Sequence, residues 1–344
     1  MNKILSIIIP TYNAEKFLDK GLTSFIIDDK ALMDKLEVII VNDGTPDNSV
    51  AVAQKYVEHY PDTFRILNKE NGGHGSAINA GVKAATGEYF QVVDADDWVD
   101  TLALVDTMNI LMESEFDAMI HAHQTHNVTT GEIEHKRVVC ADEDHLYSLA
   151  EIMGFWDNIY WGLTFHGVLY NTQFYRSLGY ELVEGVFYED QEYSTIPLCF
   201  ASKIKIADIE LYMYRIGDVN QSVSIQSLIR RLPDLETVIL RLADAKSMKK
   251  DFADGGQEYW LKKLTKCVAD YYHVALILNK DKKAGRKRVE EFNRILVKKH
   301  RWLFDMCAGK YRIFKLYNAL HIGERGYHFT IGNITELRSK MRRK

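Results

Sequence analysis

The first hundred residues alternate between short apolar runs and longer amphipathic stretches. Four runs rich in β-branched and aromatic residues have the length of buried strands, namely Leu5 to Ile9, Val38 to Val41, Phe64 to Leu67 and Tyr89 to Val93. The segments between them carry apolar residues at helical spacing, as in Phe17, Gly21, Leu22 and Phe25 and in Val50, Ala53 and Val57. This β-α-β-α order predicts an α/β fold with a mainly parallel central sheet and flanking helices.

Polar and acidic residues follow each of the four predicted strands. They are Thr11-Tyr12-Asn13, Asn42-Asp43-Gly44, Asn68 to Gly75, and Asp94-Ala95-Asp96-Asp97. Because the carboxyl ends of parallel strands meet at one edge of a sheet, and ligands bind there, these segments predict a single binding site.

The pattern becomes purely helical beyond about residue 225. Apolar residues recur at spacings of three and four in two series, which are Leu228, Leu232, Leu235, Ile239 and Leu242, and then Trp260, Leu264, Val268, Tyr272 and Ala275. We therefore predict an all-α C-terminal region over residues 226–344, behind an α/β domain over residues 1–225.

Composition narrows the class of protein. No segment approaches the roughly 18 apolar residues of a spanning helix, and the four widely separated cysteines form no CxxC pair, which favours an intracellular protein with reduced thiols.

Charge is divided unevenly along the chain. Residues 280–344 carry 19 Lys and Arg against 6 Asp and Glu, a net charge of +13, while the rest of the chain has 24 against 42, a net charge of −18.

The stretch VVDADDWVD at residues 92–100 places three carboxylates within four positions at the end of a predicted strand. A divalent cation such as Mg²⁺ or Mn²⁺ would offset their repulsion, and such sites often include substrate phosphates. The alternative is that Asp96, Asp97 or Asp100 only caps the following helix. A single cap leaves Asp94 and Asp96 unexplained, so we favour a metal site.

The glycine-rich stretch NGGHGSAINAG has two interpretations. It does not complete the GxGxxG fingerprint, because Ile78 occupies the last position, and the chain contains no GxxxxGK[ST] motif. Gly72, Gly73 and Gly75 either form a turn before a helix near Ser76 or allow the backbone to approach a ligand closely. His74 is either a polar contact to nucleotide or phosphate or a solvated turn residue.

Four segments together resemble family 2 glycosyltransferases, which have the GT-A fold. They are SIIIPTYNAEKFL, VIIVNDGTPDNS, GEYFQVVDADDW, and YEDQEYSTIPLCFASKIKIADIELYMYR at residues 188–215. The resemblance implies a nucleotide-sugar-binding half over residues 1–100 and an acceptor half over residues 101–225. It also implies an inverting, metal-dependent enzyme that transfers a sugar from a nucleotide-sugar donor, most simply a UDP-sugar, to a glycan or lipid-linked acceptor in cell-surface polysaccharide or glycoconjugate synthesis.

The same resemblance assigns roles to individual residues. Thr11, Tyr12 and Asp43 would hold the base and ribose of the nucleotide, within a donor site that also includes Pro10, Asn13, Gly73, His74, Asn79 and Ala95. Asp94 and Asp96 form the DxD motif, and Asp96 would ligate Mn²⁺ or Mg²⁺ with Asp94 beside it. Asp190 would be the general base, supported by Glu189, although both also suit the N-terminus of a helix, since the pattern that follows them is helical as far as Phe200. Where the family often has Arg before Asn79, this chain has Ile78, which weakens the assignment of uracil.

Further candidates come from the residues alone. Asp97, Trp161, His166, Arg215 and Ser222 are possible acceptor or diphosphate contacts, each with a core or surface-loop alternative. His121 and His123 in HAHQTH have the period-two spacing of a zinc pair but no evident further ligands, so we favour an ordinary strand that continues into a hairpin turn at residues 129–132.

The basic tail and the overall activity also have alternatives. Basic and aromatic residues alternate in KYRIFKLYNAL at 310–320. This pattern indicates either a contact with the cytoplasmic face of a membrane or a face that is solvated or binds another subunit. The sequence contains no recognised nucleic-acid-binding motif that would favour a third alternative, binding to nucleic acid. The alternatives to a glycosyltransferase are a nucleotidyltransferase and a non-catalytic nucleotide-sugar-binding protein.

Overall fold

The computed structural model describes residues 2–217, 225–248 and 251–327. These residues form two compact units. The first contains residues 2–217 and 251–260, and the second contains residues 225–248 and 261–327. The catalytic residues predicted from the sequence belong to the first unit.

One mixed sheet runs through the first unit. Its strand order is β3-β2-β1-β4-β9-β6-β10-β5, with β7 paired to β6 and β8 paired to β10. The strands are β1 (Leu5–Thr11), β2 (Leu36–Asp43), β3 (Phe64–Lys69), β4 (Tyr89–Val92), β5 (Trp98–Val99), β6 (Ala118–Asn127), β7 (Ile133–Lys136), β8 (Leu146–Tyr147), β9 (Val168–Asn171) and β10 (Ile204–Ile216).

The four strands predicted from apolar runs, β1 to β4, are parallel neighbours. All seven residues of β1 are buried, as expected for a strand that is covered on both faces. The helices that accompany this half of the sheet are α1 (Leu18–Thr23), α2 (Lys30–Met33), α3 (Ser49–His59), α4 (His74–Ala84) and α5 (Thr101–Glu113). The predicted β-α-β-α order is therefore confirmed.

The second half of the sheet contains both orientations. β9 runs antiparallel to β4 and β6, and β6 is parallel to β10. The predicted hairpin is present, since His126 pairs with Ile133 across a turn that contains Gly131 at φ 74°. The helices of this part are α6 (Leu149–Gly154), α7 (Trp156–Ile159), α8 (Thr172–Ser177) and α9 (Glu189–Tyr193), and the 3₁₀ turns are Tyr160–Leu163, Phe165–Gly167 and Leu198–Phe200.

Helix α9 is shorter than the sequence pattern predicts. We expected a helix from Glu189 to Phe200, but α9 ends at Tyr193. Pro197 accounts for the difference, because a proline ring within a helix clashes with the carbonyl four residues earlier, which here belongs to Tyr193. That carbonyl instead accepts a hydrogen bond from the Tyr170 hydroxyl at 2.7 Å.

The second unit is helical in its described residues. Its helices are α10 (Ile225–Arg230), α11 (Leu232–Asp244), the part of α12 (Gly256–His273) that follows residue 260, a π-helical segment (Val274–Leu278), α13 (Lys282–Lys299) and α14 (Arg301–Ala319), with a 3₁₀ turn at Ala245–Ser247. Predicted apolar positions such as Leu232, Ile239, Leu264 and Val268 are buried. Among the described residues, no helix has both the length and the apolar character to cross a bilayer.

Candidate active site

The predicted site residues gather where β1 to β4 end. Thr11 pairs with Asn42, Asn42 pairs with Asn68, and Ile8 pairs with Val92, so the segments that follow these strands begin at the same edge of the sheet. The convergence expected from the sequence is therefore present.

The segment after β1 combines buried and exposed residues. Pro10 and Thr11 are buried, and the Thr11 hydroxyl donates to the carbonyl of Ile9 at 2.9 Å. The side chain of Tyr12 is half exposed, and Asn13 has φ 54°, with its N–H donating to Thr45 Oγ1 at 2.8 Å. The left-handed backbone at Asn13 turns the chain and leaves the Tyr12 ring at the surface of the edge.

Asp43 organises the glycine-rich loop. Its Oδ1 accepts from Lys69 Nζ at 2.6 Å and from the N–H of Gly72 at 2.9 Å, and its Oδ2 accepts from the N–H of Gly73 at 2.8 Å. The residue is only 3% exposed. In this structure the Asp43 carboxylate therefore holds the loop on the end of β2, a role that its position in the sequence did not predict.

The glycines in this loop allow a close approach to another part of the chain. A Cβ on Gly75 would lie 2.3 Å from the carbonyl oxygen of Val183, and one on Gly73 would lie 3.2 Å from Gly185. Asn79 reinforces the same contact, since its Nδ2 donates to the Leu182 carbonyl and its Oδ1 accepts the Leu182 N–H, both at 2.9 Å. These residues join α4 to the segment that leads into α9.

His74 connects the two predicted acidic motifs. Its Nε2 lies 2.8 Å from Asp94 Oδ1 and its Nδ1 lies 2.5 Å from Glu189 Oε1. Although burial disfavours a charged imidazole, the two carboxylates raise the pKa of His74 well above its usual value. With both nitrogens protonated, the ring donates to both acids, so His74 is neither a simple turn residue nor a free phosphate contact here.

The acidic run at residues 94–97 forms a tight turn. The N–H of Asp97 donates to the carbonyl of Asp94 at 3.0 Å, and Ala95 is buried. Asp97 Oδ2 accepts from the Tyr212 hydroxyl at 2.6 Å, and its Oδ1 accepts the N–H of Arg215 at 2.7 Å. The cap of α5 is instead Asp100, which accepts from the N–H of Ala103 at 2.9 Å. Helix capping therefore explains Asp100 alone.

Two carboxylates of this turn, those of Asp96 and Asp97, have raised pKa values. Burial and the negative charge of Asp94 raise the pKa of Asp96 to about 6. Burial and the charges of Asp94 and Asp96 raise the pKa of Asp97 well above its usual value. The cluster is thus a place where added positive charge would be stabilising.

Three of these side chains could share a metal ion. One ligand atom each from Asp94, Asp97 and His166 lie within 4.8 Å of one another. The His166 ring stacks on Tyr214 with centroids 4.0 Å apart, and burial lowers its pKa to about 4, which keeps the imidazole neutral, as a metal ligand must be. The sequence predicted Asp94 and Asp96, with Asp97 and His166 only as other contacts; Asp96 is half buried in the same turn.

Glu189 and Asp190 begin α9 and differ in exposure. Glu189 is 5% exposed, and its Oε2 is buried without a hydrogen-bond partner among the described residues. Asp190 is half buried, and its Oδ2 accepts from Gln191 Nε2 at 2.9 Å. Burial, followed by nearby acids that include Asp97 and Asp190, raises the pKa of Tyr214, so Asp190 belongs to the same electrostatic environment as the acidic turn.

The remaining candidates have separate surroundings. The guanidinium of Arg215 lies 4.4 Å from the centroid of the Phe17 ring, and Trp161 is exposed with Lys136 Nζ 4.1 Å from its ring. Ser222 lies outside the described residues. His121 is buried in β6, between Gln91 Nε2 at 3.0 Å and the Ala122 carbonyl at 2.8 Å, as expected of an ordinary strand residue.

Sequence reasoning missed two tyrosines on β10. Besides Asp97, the hydroxyl of the fully buried Tyr212 contacts the N–H of Asp94 at 3.0 Å, and Tyr214 supports His166. Both side chains face the site, because residues two positions apart lie on the same face of a strand. The two tyrosines of LYMYR have this spacing, which could have predicted that they share a face.

A family model described as glycosyl transferase family 2 matches residues 6–179. Among curated relatives, the uncharacterized glycosyltransferase EpsJ of Bacillus subtilis (strain 168) is 28% identical over 62% of this chain and 62% of its own length. The minor teichoic acid biosynthesis protein GgaB of the same strain is 36% identical over 33% of this chain and 12% of its own. The matches thus span less than two thirds of these relatives.

Solved structures support the same fold. The S. aureus TarS 1–349 fragment in complex with UDP-GlcNAc superposes with a TM-score of 0.60, at 16% identity, over 92% of each chain. The mannosyltransferase PcManGT from Pyrobaculum calidifontis, in complex with GDP-Man and Mn²⁺, superposes with a TM-score of 0.51, at 17% identity, over 94% of this chain and 86% of its own. The predicted GT-A fold class and glycosyltransferase class are confirmed. The chain belongs to glycosyl transferase family 2.

Proposed function

We propose that the protein transfers a sugar from a nucleotide-sugar donor, most simply a UDP-sugar, to a hydroxyl group of a glycan or lipid-linked acceptor, with inversion at the anomeric carbon. The observation that carries the proposal is the connection, through His74, of the acidic turn to the Glu189–Asp190 pair. One cluster can bind a diphosphate with a cation while a separate carboxylate activates the acceptor. The TarS complex with UDP-GlcNAc supports the UDP-sugar part of the proposal.

The acidic turn fits a divalent cation. Two carboxylates suit Mg²⁺ and Mn²⁺, and the neutral imidazole of His166 favours Mn²⁺ of the two. Asp94, Asp97 and His166 would hold the ion, and Asp96, the ligand that the family resemblance implies, would supply a further carboxylate from the same turn. When bound, such a cation neutralises the charge that develops on a departing diphosphate. Burial and the charges of neighbouring acids raise the pKa values of Asp96 and Asp97, and a bound cation would offset the part that comes from those charges.

Asp190 has the properties of a general base. A hydroxyl group is a poor nucleophile until its proton is removed, and a positioned carboxylate typically contributes about 10²- to 10⁴-fold to the rate of such a step. Asp190 is partly exposed, whereas Glu189 is buried and held by His74. Attack assisted by one base in a single displacement inverts the anomeric configuration.

The nucleotide would lie along the edge formed by β1 to β3. The exposed Tyr12 ring offers a stacking surface for a base, and the loop at Gly72 and Gly73 is fixed by Asp43. We propose these residues as the donor subsite. Thr11 contacts the backbone of Ile9 at the end of β1, and Asn79 holds α4 to the backbone of Leu182.

The first test is ligand stabilisation of the native state. UDP, GDP, CDP, dTDP and UDP-sugars are each added with and without Mn²⁺ to wild type and to Asp96→Ala, and the melting temperature is measured. A ligand at about 100 times its Kd stabilises the folded state by about 2.7 kcal/mol. We expect one nucleoside diphosphate to stabilise the wild type only with metal and to lose that effect in Asp96→Ala; no stabilisation by any of them contradicts the donor site.

The second test separates catalysis from binding. Asp190→Asn should lower kcat for nucleotide release in the presence of acceptor by about 10²- to 10⁴-fold and leave the donor-induced melting shift intact. Asp157→Asn, an exposed acid on α7, is the control and should change neither. Unchanged turnover in Asp190→Asn contradicts the assignment of the base. Release of pyrophosphate from a nucleoside triphosphate would identify the protein as a nucleotidyltransferase instead. Donor binding without any turnover would identify it as a binding protein.

A further inference from the structure

Helix α14 has one apolar face packed inside the second unit. Leu303, Cys307, Phe314 and Asn318 are buried, and the Asn318 amide donates to the Leu276 carbonyl at 2.7 Å. These positions recur at spacings of four and seven residues, as a single helix face requires. This inner face anchors α14 to its own unit.

A second face of α14 is also apolar, but it is exposed. Met306, Ile313, Leu316 and Leu320 are 53%, 54%, 56% and 62% exposed. Spacings of seven, three and four residues place them on one stripe, and Gly309 lies between Met306 and Ile313 on the same stripe. We call these four apolar residues the outer face. Large exposed apolar side chains grouped in this way mark interaction sites.

Basic residues border the outer face on both sides. At 100° per residue, Lys310 falls on one side of the stripe, and Arg301 and Arg312 fall on the other. Arg301 Nε lies 3.6 Å from Asp305 Oδ2, and Lys315, which lies farther from the stripe, pairs with Glu290 at 3.9 Å. Asp305 is the only acidic residue of α14. The helix therefore presents an apolar stripe between two positive margins, within a region of net charge +13.

We propose that the outer face of α14 binds an anionic lipid surface. Its apolar side chains would enter the boundary between headgroups and acyl chains, and the basic margins would contact lipid phosphates. This inference goes beyond the proposed function, because membrane contact does not require catalysis. A lipid-linked acceptor would belong to the same kind of surface.

Charge and size favour lipid over a second copy of the chain. A two-fold dimer through the outer face would bring two sets of basic margins together, and like charges repel. A stable protein interface also takes about 20–30 residues from each partner, whereas the outer face offers four apolar side chains. An anionic bilayer has the opposite charge and accepts a narrow apolar stripe.

The test is co-sedimentation of the full-length protein with phosphatidylcholine vesicles, with and without phosphatidylglycerol. We expect binding to the anionic vesicles that weakens as salt is raised, because surface charge is screened. Lys310→Gln with Arg312→Gln should weaken binding about fivefold for each residue changed. Met306→Ser with Ile313→Ser and Leu316→Ser should weaken it at least about tenfold.

The control substitution is Leu102→Ser on α5, which removes a side chain that is 77% exposed in the first unit and should leave vesicle binding unchanged. Thermal unfolding of each variant shows whether it is folded, and nucleotide stabilisation should persist in all of them. Equal sedimentation of the wild type and the outer-face variant overturns the proposal. A dimer in ultracentrifugation that the outer-face substitutions dissociate, without vesicle binding, assigns the face to self-association and also overturns it.

Discussion

His74 shows how one side chain can join two parts of a site. It lies between Asp94 and Glu189, which are 20 and 115 residues away in the sequence. Without the imidazole, Glu189 would remain buried with no described donor to either carboxylate oxygen, and the acidic turn would lose a positive neighbour. Its removal should therefore disturb the geometry of both acids.

We expect His74→Ala to lower kcat by about 10- to 100-fold, the usual cost of removing a partner that orients metal or catalytic carboxylates. His74→Asn keeps one amide donor and should recover part of the loss. Steady-state kinetics with varied donor and Mn²⁺ would measure both variants. His59→Ala, at an exposed histidine on α3, is the control. Full activity of His74→Ala in a folded protein would show that the bridge is dispensable.

The buried His121 predicts acid sensitivity of the fold. Burial lowers the pKa of His121 to about 4, whereas a histidine in an unfolded chain has a pKa of about 6.5. Between these values the unfolded chain binds a proton that the folded chain does not, so the free energy of unfolding falls as the pH is lowered. The loss amounts to about 2 kcal/mol between about pH 7 and about pH 5.

We expect His121→Gln to remove only the part of this dependence that His121 contributes, because an amide can still contact Gln91 and has no proton to gain in that range. The buried His123 and His166, whose pKa values are also lowered by burial, keep their own contributions. Urea unfolding at the two pH values would measure it. The wild type and the exposed control His59→Gln should lose stability equally on acidification. An unchanged pH dependence in His121→Gln would contradict the assignment of a neutral, buried imidazole.

At the scale of elements, the position of α4 against the segment before α9 depends on Gly75. A Cβ there would lie 2.3 Å from the Val183 carbonyl oxygen and 3.2 Å from Glu189 Cγ. Gly75→Ala must therefore push α4 and α9 apart, at a cost of about 1–3 kcal/mol. We expect a lower denaturation midpoint and lower activity, because Glu189 moves with the segment.

The matched control is Gly154→Ala at the end of α6. A Cβ on Gly154 meets nothing within 4 Å, and alanine is a better helix former than glycine. This variant should be neutral or more stable by up to about 1 kcal/mol. Chemical denaturation of both variants compares the two sites directly, and equal stabilities would contradict the proposed close packing.

The elements that the sequence predicted well are those with a strong local pattern. β1 to β4 are continuous apolar runs, and Leu232 to Leu242 keep helical spacing, so both could be recognised without the fold. The predicted C-terminal end of α9 was wrong. The proline ring of Pro197 prevents a helical hydrogen bond to the carbonyl of Tyr193, and this outweighs the helical spacing of the residues between them.

The site was predictable in its location but not in its contacts. The acidic turn followed from strand order, because parallel strands end at a common edge. The contacts of His74 with Glu189 and of Asp97 with Tyr212 span 115 residues each, and their existence depends on how β10 and α9 return to the edge. The spacing of apolar residues within one element does not show which distant elements will lie beside it in the fold.

At the scale of the whole molecule, the two proposed surfaces belong to different compact units. The donor site consists of residues of the first unit, and the outer face of α14 belongs to the second. Each ligand should therefore protect a different set of backbone amides. Hydrogen exchange read by mass spectrometry can distinguish the two sets, because amides that exchange by local opening respond to the ligand that covers them.

We expect UDP with Mn²⁺ to slow exchange at residues 72–75 and 94–97, while peptides from 301–319 that exchange by local opening keep their rates. Anionic vesicles should do the reverse. Asp96→Ala should abolish the first effect alone, and Met306→Ser with Ile313→Ser should abolish the second alone. If the nucleotide slowed exchange in α14 and the vesicles slowed it in the acidic turn, the two sites would be coupled, because linkage makes such effects reciprocal. Independent responses would show that donor binding and membrane contact are separate functions of the two units.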